Sequence, residues 1–319
     1  MNTGDGGPDE PRRNLTKSSL DAFVQAHVPP AWRRPRRLIL VGALVVAVIA
    51  VIIGTGSPGP SHPAPGTTVF PVGDRVVLRL VHSTGSVQVR PGPGGQVSVT
   101  EHRNGITNAI RTRYRQQGDV ITVTVSIQNG LFTATWVDFT VAVPQNISTT
   151  VTTAAGTLRA VGLTGSFVLR DTNGSIWATH VNGALAMRTA SGSINTSEVS
   201  GQVSASTDNG TITTISTRLG GHSLMQAQNG TINFHGSLNP GCHAVFKNTN
   251  GAIGVTLPRF SSVLVDARAR FGSINSQFSS VHVVSGAQGR VAVGRVGRDA
   301  PAHLRLETAH GSINLNRKT

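Results

Sequence analysis

Glycines recur every nine residues in the middle of the chain, and this repeat restricts the fold more than any other feature. Alternate glycines have different surroundings: one set lies in N/S-G-S/T-I motifs, and the other follows an apolar residue by two positions. The repeat unit is therefore 18 residues long, and it predicts two short strands and two turns per unit. The positions are Gly156, Gly165, Gly174, Gly183, Gly192, Gly201 and Gly210.

The glycine motif continues towards the C-terminus at wider spacing, and an isoleucine stands two positions after the glycine in the later copies too. Side chains alternate along a strand, so stacking of successive units predicts one inward ladder of isoleucines in chain order. We expect positive φ at the glycines, because they mark the corners of the units. The later glycines are Gly230, Gly251, Gly272 and Gly311. The isoleucines are Ile176, Ile194, Ile212, Ile232, Ile253, Ile274 and Ile313.

These patterns predict an all-β fold, a β-helix-like solenoid with two short strands in each coil of 18–21 residues, over residues 156–319. Only 4% of the residues are aromatic, which favours a thin core over a large globular one. Residues 67–155 alternate in polarity without a period, and we expect them to begin and cap the solenoid. A β-sandwich is the alternative, but its hairpin turns would not repeat one motif at a fixed register.

A membrane anchor precedes the repeats. Leu38–Ile53 contains no polar side chain, and extension to Gly56 approaches the ~20 residues that span a bilayer. Arg33, Arg34 and two further arginines stand directly before it, so the positive-inside rule places the N-terminus in the cytoplasm. The prediction is a disordered cytoplasmic tail (1–37), a transmembrane helix (38–56), a Pro/Gly linker (57–66) and an extracytoplasmic remainder. A cleaved signal peptide is the alternative, although the apolar run is long for one.

The order of motifs in the extracytoplasmic part is similar to that of a known family. A G-S-V strand (Gly85–Val87) comes first, then VDFTVAVPQNISTTVTTAAGTL (Val137–Leu158), then serial N-G-S-I copies ending at Ile313. Residues 67–319 thus resemble the bacterial β-strand-repeat family labelled "putative adhesin", a domain of unknown function. The resemblance implies a surface β-solenoid and supplies no functional residues.

The sequence predicts no catalytic site, no cofactor and no metal site. The single cysteine, Cys242, excludes an internal disulfide framework. No histidine pair forms H-x-x-x-H or H-E-x-x-H. Asp171 aligns with Thr189 and Thr207 in neighbouring repeats, and Glu198 aligns with His180 and Ser216. No two carboxylates therefore share a ladder, as a paired acid and base would require.

Positive charge is spread through the predicted extracytoplasmic part, since residues 38–319 carry 21 basic and 10 acidic side chains. One group of arginines flanks a loop: Arg103, Arg111, Arg113 and Arg115. A second group comes late in the chain: Arg268, Arg270, Arg290, Arg295 and Arg298. We interpret the second group as candidate contacts to an anionic cell-wall polymer or to lipid head groups, with a merely solvated surface as the alternative. Nucleic acid is disfavoured by the predicted location outside the cytoplasm.

The sequence therefore predicts a membrane-anchored, adhesin-like and non-enzymatic module at the bacterial cell envelope. Another surface protein is an alternative partner to the cell-wall polymer. Two alternatives of other classes remain. One is an envelope-sensing protein that signals through a partner of its cytoplasmic tail. The other is a carbohydrate-active β-helix enzyme.

Overall fold

Strands make up almost all of the computed structural model, which describes residues 66–73, 75–127, 135–286, 289–298 and 302–318. The described residues form twenty-one strands and one short 3-10 helix, Thr107–Ala109. The all-β prediction is confirmed. The strands are β1 (Thr67–Pro71), β2 (Val76–Thr84), β3 (Val87–Pro91), β4 (Gln96–Asn104), β5 (Ile110–Gln117), β6 (Val120–Ile127), β7 (Trp136–Val143), β8 (Asn146–Val161), β9 (Thr164–Thr179), β10 (Asn182–Ser191), β11 (Ile194–Ser197), β12 (Ser200–Leu219), β13 (His222–Leu238), β14 (His243–Asn250), β15 (Ile253–Leu257), β16 (Val263–Phe271), β17 (Ile274–Ser276), β18 (Val281–Gly286), β19 (Gly289–Val296), β20 (Ala302–His310) and β21 (Ile313–Arg317).

The predicted membrane anchor lies outside the described residues. This applies to the tail (1–37), to the span (38–56) and to all but the last residue of the linker (57–66). Within the part of the chain that the structure does describe, none of the helices has the length and apolar character to cross a membrane.

Successive repeat units pair through parallel strands. Each residue of β9 lies beside the residue eighteen positions later, so that Ile176 pairs with Ile194, and Ile194 pairs in turn with Ile212. The interval widens to 20 residues between Ile212 and Ile232, and to 21 between Ile232 and Ile253. All seven isoleucines of the motif are buried. Alternation along each strand therefore points the isoleucines towards the core and the residues next to them away from it.

The last two units are not stacked in chain order, and here the sequence-based expectation is wrong. Ile253 pairs with Ile313, and Ile313 pairs with Ile274. The C-terminal strands β20 and β21 thus lie between the β14–β15 unit and the β16–β17 unit, which is earlier in the chain. All units present the same Gly and Ile pattern, so backbone pairing alone is satisfied in either order.

The repeat glycines are needed for close backbone contact rather than for corner turns. Gly192, Gly251, Gly272 and Gly311 lie in a bend between two strands, and the other seven lie within strands. Their φ ranges from 127° at Gly201 to 158° at Gly272, except that Gly174 is not among the positive-φ glycines. A Cβ on Gly192 would lie 1.9 Å from the carbonyl oxygen of Gly174. A Cβ on Gly272 would lie 1.7 Å from that of Gly311. No side chain fits at such distances, which is why the motif keeps glycine.

The left-handed corners are instead formed by three residues that align in successive repeats. His180, Glu198 and Ser216 have φ of 54°, 54° and 52°, which is rare for residues with a side chain. His180 and Glu198 also pair their side chains, with Nε2 of the histidine 3.0 Å from Oε2 of the glutamate. The corners of neighbouring units thus carry contacting polar groups at the surface.

The region before the repeats joins the same sheet. β2 and β3 pair in parallel with β8, and Val87 lies beside Leu158 in the isoleucine row. Beyond β2 and β3, the sheet continues with β6 and β7. Antiparallel pairing then adds β5 to β6, β4 to β7 and β1 to β4. At the other end, antiparallel β19 and β18 follow β16.

The glycine contact predicts a strong effect of a single methyl group. Gly192→Ala should lower the free energy of unfolding by about 2 kcal/mol or more, because the Cβ would meet backbone atoms that cannot move independently. Denaturant melts measure this change. Gly94→Ala is the control, since a Cβ at Gly94 would meet nothing within 4 Å. Equal effects of the two substitutions would contradict the contact.

Candidate anion-binding surface

Strand β5 presents three arginines on one face. In the sequence Ile110–Gln117, Arg111, Arg113 and Arg115 alternate with residues that point the other way, and all three are exposed. Within the described residues β5 pairs only with β6, so it forms an edge of the sheet. The alternation of this edge strand therefore displays three guanidinium groups at intervals of ~7 Å.

Strand pairing extends this basic strip across the sheet. Thr122 of β6 pairs with Arg115 on one side and with Arg79 of β2 on the other. On its other side β2 pairs with β8, and β9 and β10 follow β8 in the sheet. Arg170 of β9 and Arg188 of β10 are paired residues on these two strands. Arg170 also pairs with Thr152 of β8. We call these six residues the arginine face: Arg79, Arg111, Arg113, Arg115, Arg170 and Arg188.

Hydroxyl groups fill the positions between the arginines. Thr122, Thr124 and Ser126 of β6 lie opposite the three arginines of β5. Thr150 and Thr152 of β8 lie opposite Arg79 and Arg170 respectively. Hydroxyls accept and donate hydrogen bonds without adding charge, so the surface combines guanidinium groups with neutral polar groups.

Four of the six arginines of the arginine face are exposed to solvent. In the described part of the chain, no carboxylate lies within ion-pair distance of Arg79, Arg111, Arg113 or Arg115. Arg188 approaches Asp208, with 3.4 Å between Nη2 and Oδ2. Burial, and then the charge of Arg188, lower the pKa of Arg170 to about 10. An anion bound here would relieve repulsion between like charges.

A buried carboxylate holds β5 in place behind its arginines. Glu101 of β4 accepts hydrogen bonds from the Thr112 hydroxyl at 2.6 Å and from the Tyr114 hydroxyl at 2.8 Å. Arg103 donates its Nε–H to the same carboxylate, at 2.6 Å from Oε1. Burial first, and then the charge of Glu101, raise the pKa of Tyr114 well above its ordinary value. Glu101 therefore neutralises the positive charge of Arg103, whose side chain is only 11% exposed. In the sequence, Arg103 is grouped with the β5 arginines.

The late arginine group does not converge on one face. Arg268 is paired with Asp266, with Nε 3.2 Å from Oδ1, and Arg270 lies 5.2 Å above the ring of Phe271. Arg290 pairs with Ala269, and Arg295 pairs with Leu264. Alternation puts Arg290 and Arg295 on opposite faces of β19. Arg298, which follows β19, is exposed, and the role of these five arginines stays a prediction.

The other side chains that could react or bind a metal are buried or stacked on one another. Cys242 is buried, and burial raises the pKa of its thiol to about 11. Burial likewise lowers the pKa of His82 to about 4. His222, His243 and His303 stack face to face, with ring centroids 5.2 and 4.7 Å apart. Among the described residues, no three His, Cys, Asp or Glu side chains are grouped as a metal would require.

The side chain of Asp171 points to the buried side of the sheet, and its neighbours in the row are threonines. Its partners in register are Thr153 and Thr189, and Thr189 donates its hydroxyl to the carbonyl of Gly174 at 3.2 Å. Asp171 is 6% exposed, and within the described residues neither of its carboxylate oxygens has a hydrogen bond of ordinary geometry. Burial raises its pKa from 3.8 to about 6, and nearby backbone N–H groups offset this only in part.

The raised pKa of Asp171 predicts a pH-dependent stability. The folded state keeps the proton that the unfolded state loses, so stability should fall as pH rises from about 4 to about 6. Asp171→Thr, which restores the residue of the neighbouring units, should therefore stabilise the protein by about 2–3 kcal/mol at pH 8 and by much less at pH 4. Denaturant melts at both pH values measure the difference. Asp208→Thr removes a carboxylate that is paired with Arg188, and it should give no stabilisation.

Comparisons with known proteins do not assign this chain to a family. No family model matches the chain, and no curated protein matches it. Among solved structures, the chain is similar to the crystal structure of a "putative cell adhesion protein" from Clostridium sporogenes. The identity is 11%, the TM-score is 0.29, and the match covers 80% of this chain and 100% of that one. Similarity at this level establishes neither a shared fold nor a shared function.

Proposed function

We propose that this chain is a membrane-anchored, adhesin-like β-solenoid displayed outside the cytoplasm of a bacterium, where it binds an anionic polymer of the cell envelope without catalysing a reaction. The arginine face carries the proposal. Its six guanidinium groups are distributed over strands β5, β2, β9 and β10, with hydroxyl-bearing strands between them. Guanidinium groups bind phosphate and carboxylate through paired N–H donors.

The extent of the arginine face favours a polymer over a small anion. From β5 to β10 the row crosses β6, β2, β8 and β9, which corresponds to ~24 Å at the ordinary strand spacing. A single phosphate or carboxylate would engage two arginines at most. A polyanion lying across the strands would engage several, and the release of its counterions would add to the affinity.

The solenoid architecture is supported by the pairing of the repeats. In-register parallel partners at intervals of 18–21 residues place glycine on glycine and isoleucine on isoleucine. A coil that returns to the same row after two strands produces such pairing. Membership of the β-strand-repeat adhesin family is part of the same proposal, and it rests on the order of motifs in the sequence.

The non-enzymatic part of the proposal is supported by the pairing of outward carboxylates. Asp208, Asp266 and Glu307 each form an ion pair with a basic side chain. For Glu307, burial favours the neutral form, but hydrogen bonds and charges from Lys247 and Arg305 outweigh it and lower the pKa. A general acid needs a raised pKa and access to substrate, whereas the raised pKa here belongs to the enclosed Asp171.

Polymer binding can be measured with the full-length protein in a nonionic detergent. The probes are long-chain polyphosphate and polygalacturonate, titrated at several NaCl concentrations. The triple variant Arg111→Ser, Arg113→Ser and Arg115→Ser should weaken binding about tenfold or more. It should also reduce the slope of log Kd against log salt concentration by about 3 if each arginine contacts the polymer.

A second triple variant provides the matched control. Arg290→Ser, Arg295→Ser and Arg298→Ser changes the net charge by the same amount but leaves the arginine face intact. It should alter Kd by less than about threefold. Equal losses in both triple variants would mean that net charge alone drives binding. A loss confined to the second variant would move the polymer contact to the late arginine group.

Topology is tested separately with reporter fusions. A reporter fused after Thr319 should be active only outside the cytoplasm, because the arginines before Leu38 hold the N-terminus inside. A reporter that replaces the chain after Pro30 should be active only in the cytoplasm. Cytoplasmic activity of the C-terminal fusion would contradict the proposed display.

A further inference from the structure

A second outward surface lies on the strand segments that follow the repeat glycines, and its chemistry differs from that of the arginine face. We call it the Trp177 face. It consists of two rows of paired residues. The first row is Arg159, Trp177, Asn195, Thr213 and Asn233. The second row is Val161, Thr179, Ser197, Ile215 and His235.

The Trp177 face carries no carboxylate. Its polar groups are the amides of Asn195 and Asn233, the hydroxyls of three Ser and Thr residues and the imidazole of His235, all on successive parallel strands. Amides and hydroxyls both donate and accept hydrogen bonds, as sugar hydroxyls do. The one fixed charge, on Arg159, lies over the indole of Trp177 at 5.4 Å.

Trp177 is not needed to build the sheet. Its side chain is 40% exposed, and its partners in neighbouring units are Arg159 and Asn195. Further along the row, Thr213 and Asn233 occupy the same position. Small polar side chains therefore satisfy this position elsewhere. The exposed indole adds an apolar, flat surface that the repeat does not require, held on one side by a guanidinium group.

A shallow groove continues the surface beyond Trp177. The register shifts between Ile215 and Thr217, and a groove at this point is lined by Ile215, Thr217, His235 and Thr256. The exposed basic residues Arg218 and Lys318 also line this groove, outside the two rows. Ile215 is 52% exposed. Trp177 and Ile215 are two strand spacings apart, or ~10 Å along the stack. Two apolar contact points thus flank a run of hydrogen-bonding groups.

From this arrangement we infer that the Trp177 face binds a neutral, β-linked glycan. Pyranose rings with equatorial hydroxyls have apolar faces of axial C–H groups, which pack on the indole and on Ile215. The hydroxyls around the ring edge match the amides and hydroxyls of the rows. The two rows themselves do not favour a polyanion, because their single arginine already lies over the indole and the exposed Arg218 and Lys318 lie outside the rows. The inference is independent of polymer binding by the arginine face.

Binding of defined neutral oligosaccharides tests the inference. Full-length protein in nonionic detergent is titrated with chitohexaose, cellohexaose and laminarihexaose by calorimetry. At least one should bind, and Trp177→Asn, which installs the residue of the next unit, should weaken binding about tenfold. Ile215→Thr should weaken it about threefold. Thermal melts should show both variants to be as stable as the parent.

Trp136→Asn is the matched control, because Trp136 is also 40% exposed but lies on β7, outside the Trp177 face. It should leave the affinity unchanged. The triple variant at Arg111, Arg113 and Arg115 should also leave it unchanged, which separates this site from polymer binding. Absence of binding by all three oligosaccharides, or equal losses at Trp136 and Trp177, would overturn the inference. Retention of full affinity by Trp177→Asn would overturn it as well.

Discussion

The contact between glycines of neighbouring repeat units is the constraint on which the rest of this structure depends. At Gly192 and its partner Gly174, the backbones approach so closely that a Cβ would lie 1.9 Å from a carbonyl oxygen. The same approach recurs at Gly230 and Gly210. Because each strand is held at this point, the residues on either side have a fixed register. Isoleucine then meets isoleucine inside, and Thr189 and Thr207 reach glycine carbonyls with their hydroxyls.

A fixed register leaves the outward positions free to vary. Inward side chains must fit between their neighbours, and the buried carboxylate of Asp171 shows how a departure there raises a pKa. Outward side chains meet only solvent and the neighbours in their row. The same framework therefore carries arginines on one surface, and amides, hydroxyls and an indole on another. Binding chemistry can be assigned to such rows because strand pairing keeps their members adjacent.

The two ends of the sheet balance charge in different ways. At the β5 end, three arginines have no carboxylate partner among the described residues, and Glu101 is used behind them to secure Thr112 and Tyr114. Charged side chains on an edge strand also discourage pairing with a strand of another chain, and the β5 arginines have this effect at the edge that β5 forms. Towards the other end, Lys247 and Glu307 lie 2.9 Å apart, and Arg268 pairs with Asp266. Arg290, Arg295 and Arg298 near that end have no ion-pair partner among the described residues, so both ends keep uncompensated positive charge.

The sequence by itself determined the all-β class and the stacking of Ile176, Ile194 and Ile212 in neighbouring units. Each follows from a local pattern, either a fixed interval or alternation along one strand. The tertiary structure alone decided that Ile313 lies between Ile253 and Ile274, because units with the same Gly and Ile pattern allow the same backbone pairing in either order. It also decided that Arg79, Arg170 and Arg188 share a surface with the β5 arginines. These residues are far apart in the chain, and only strand order brings them together.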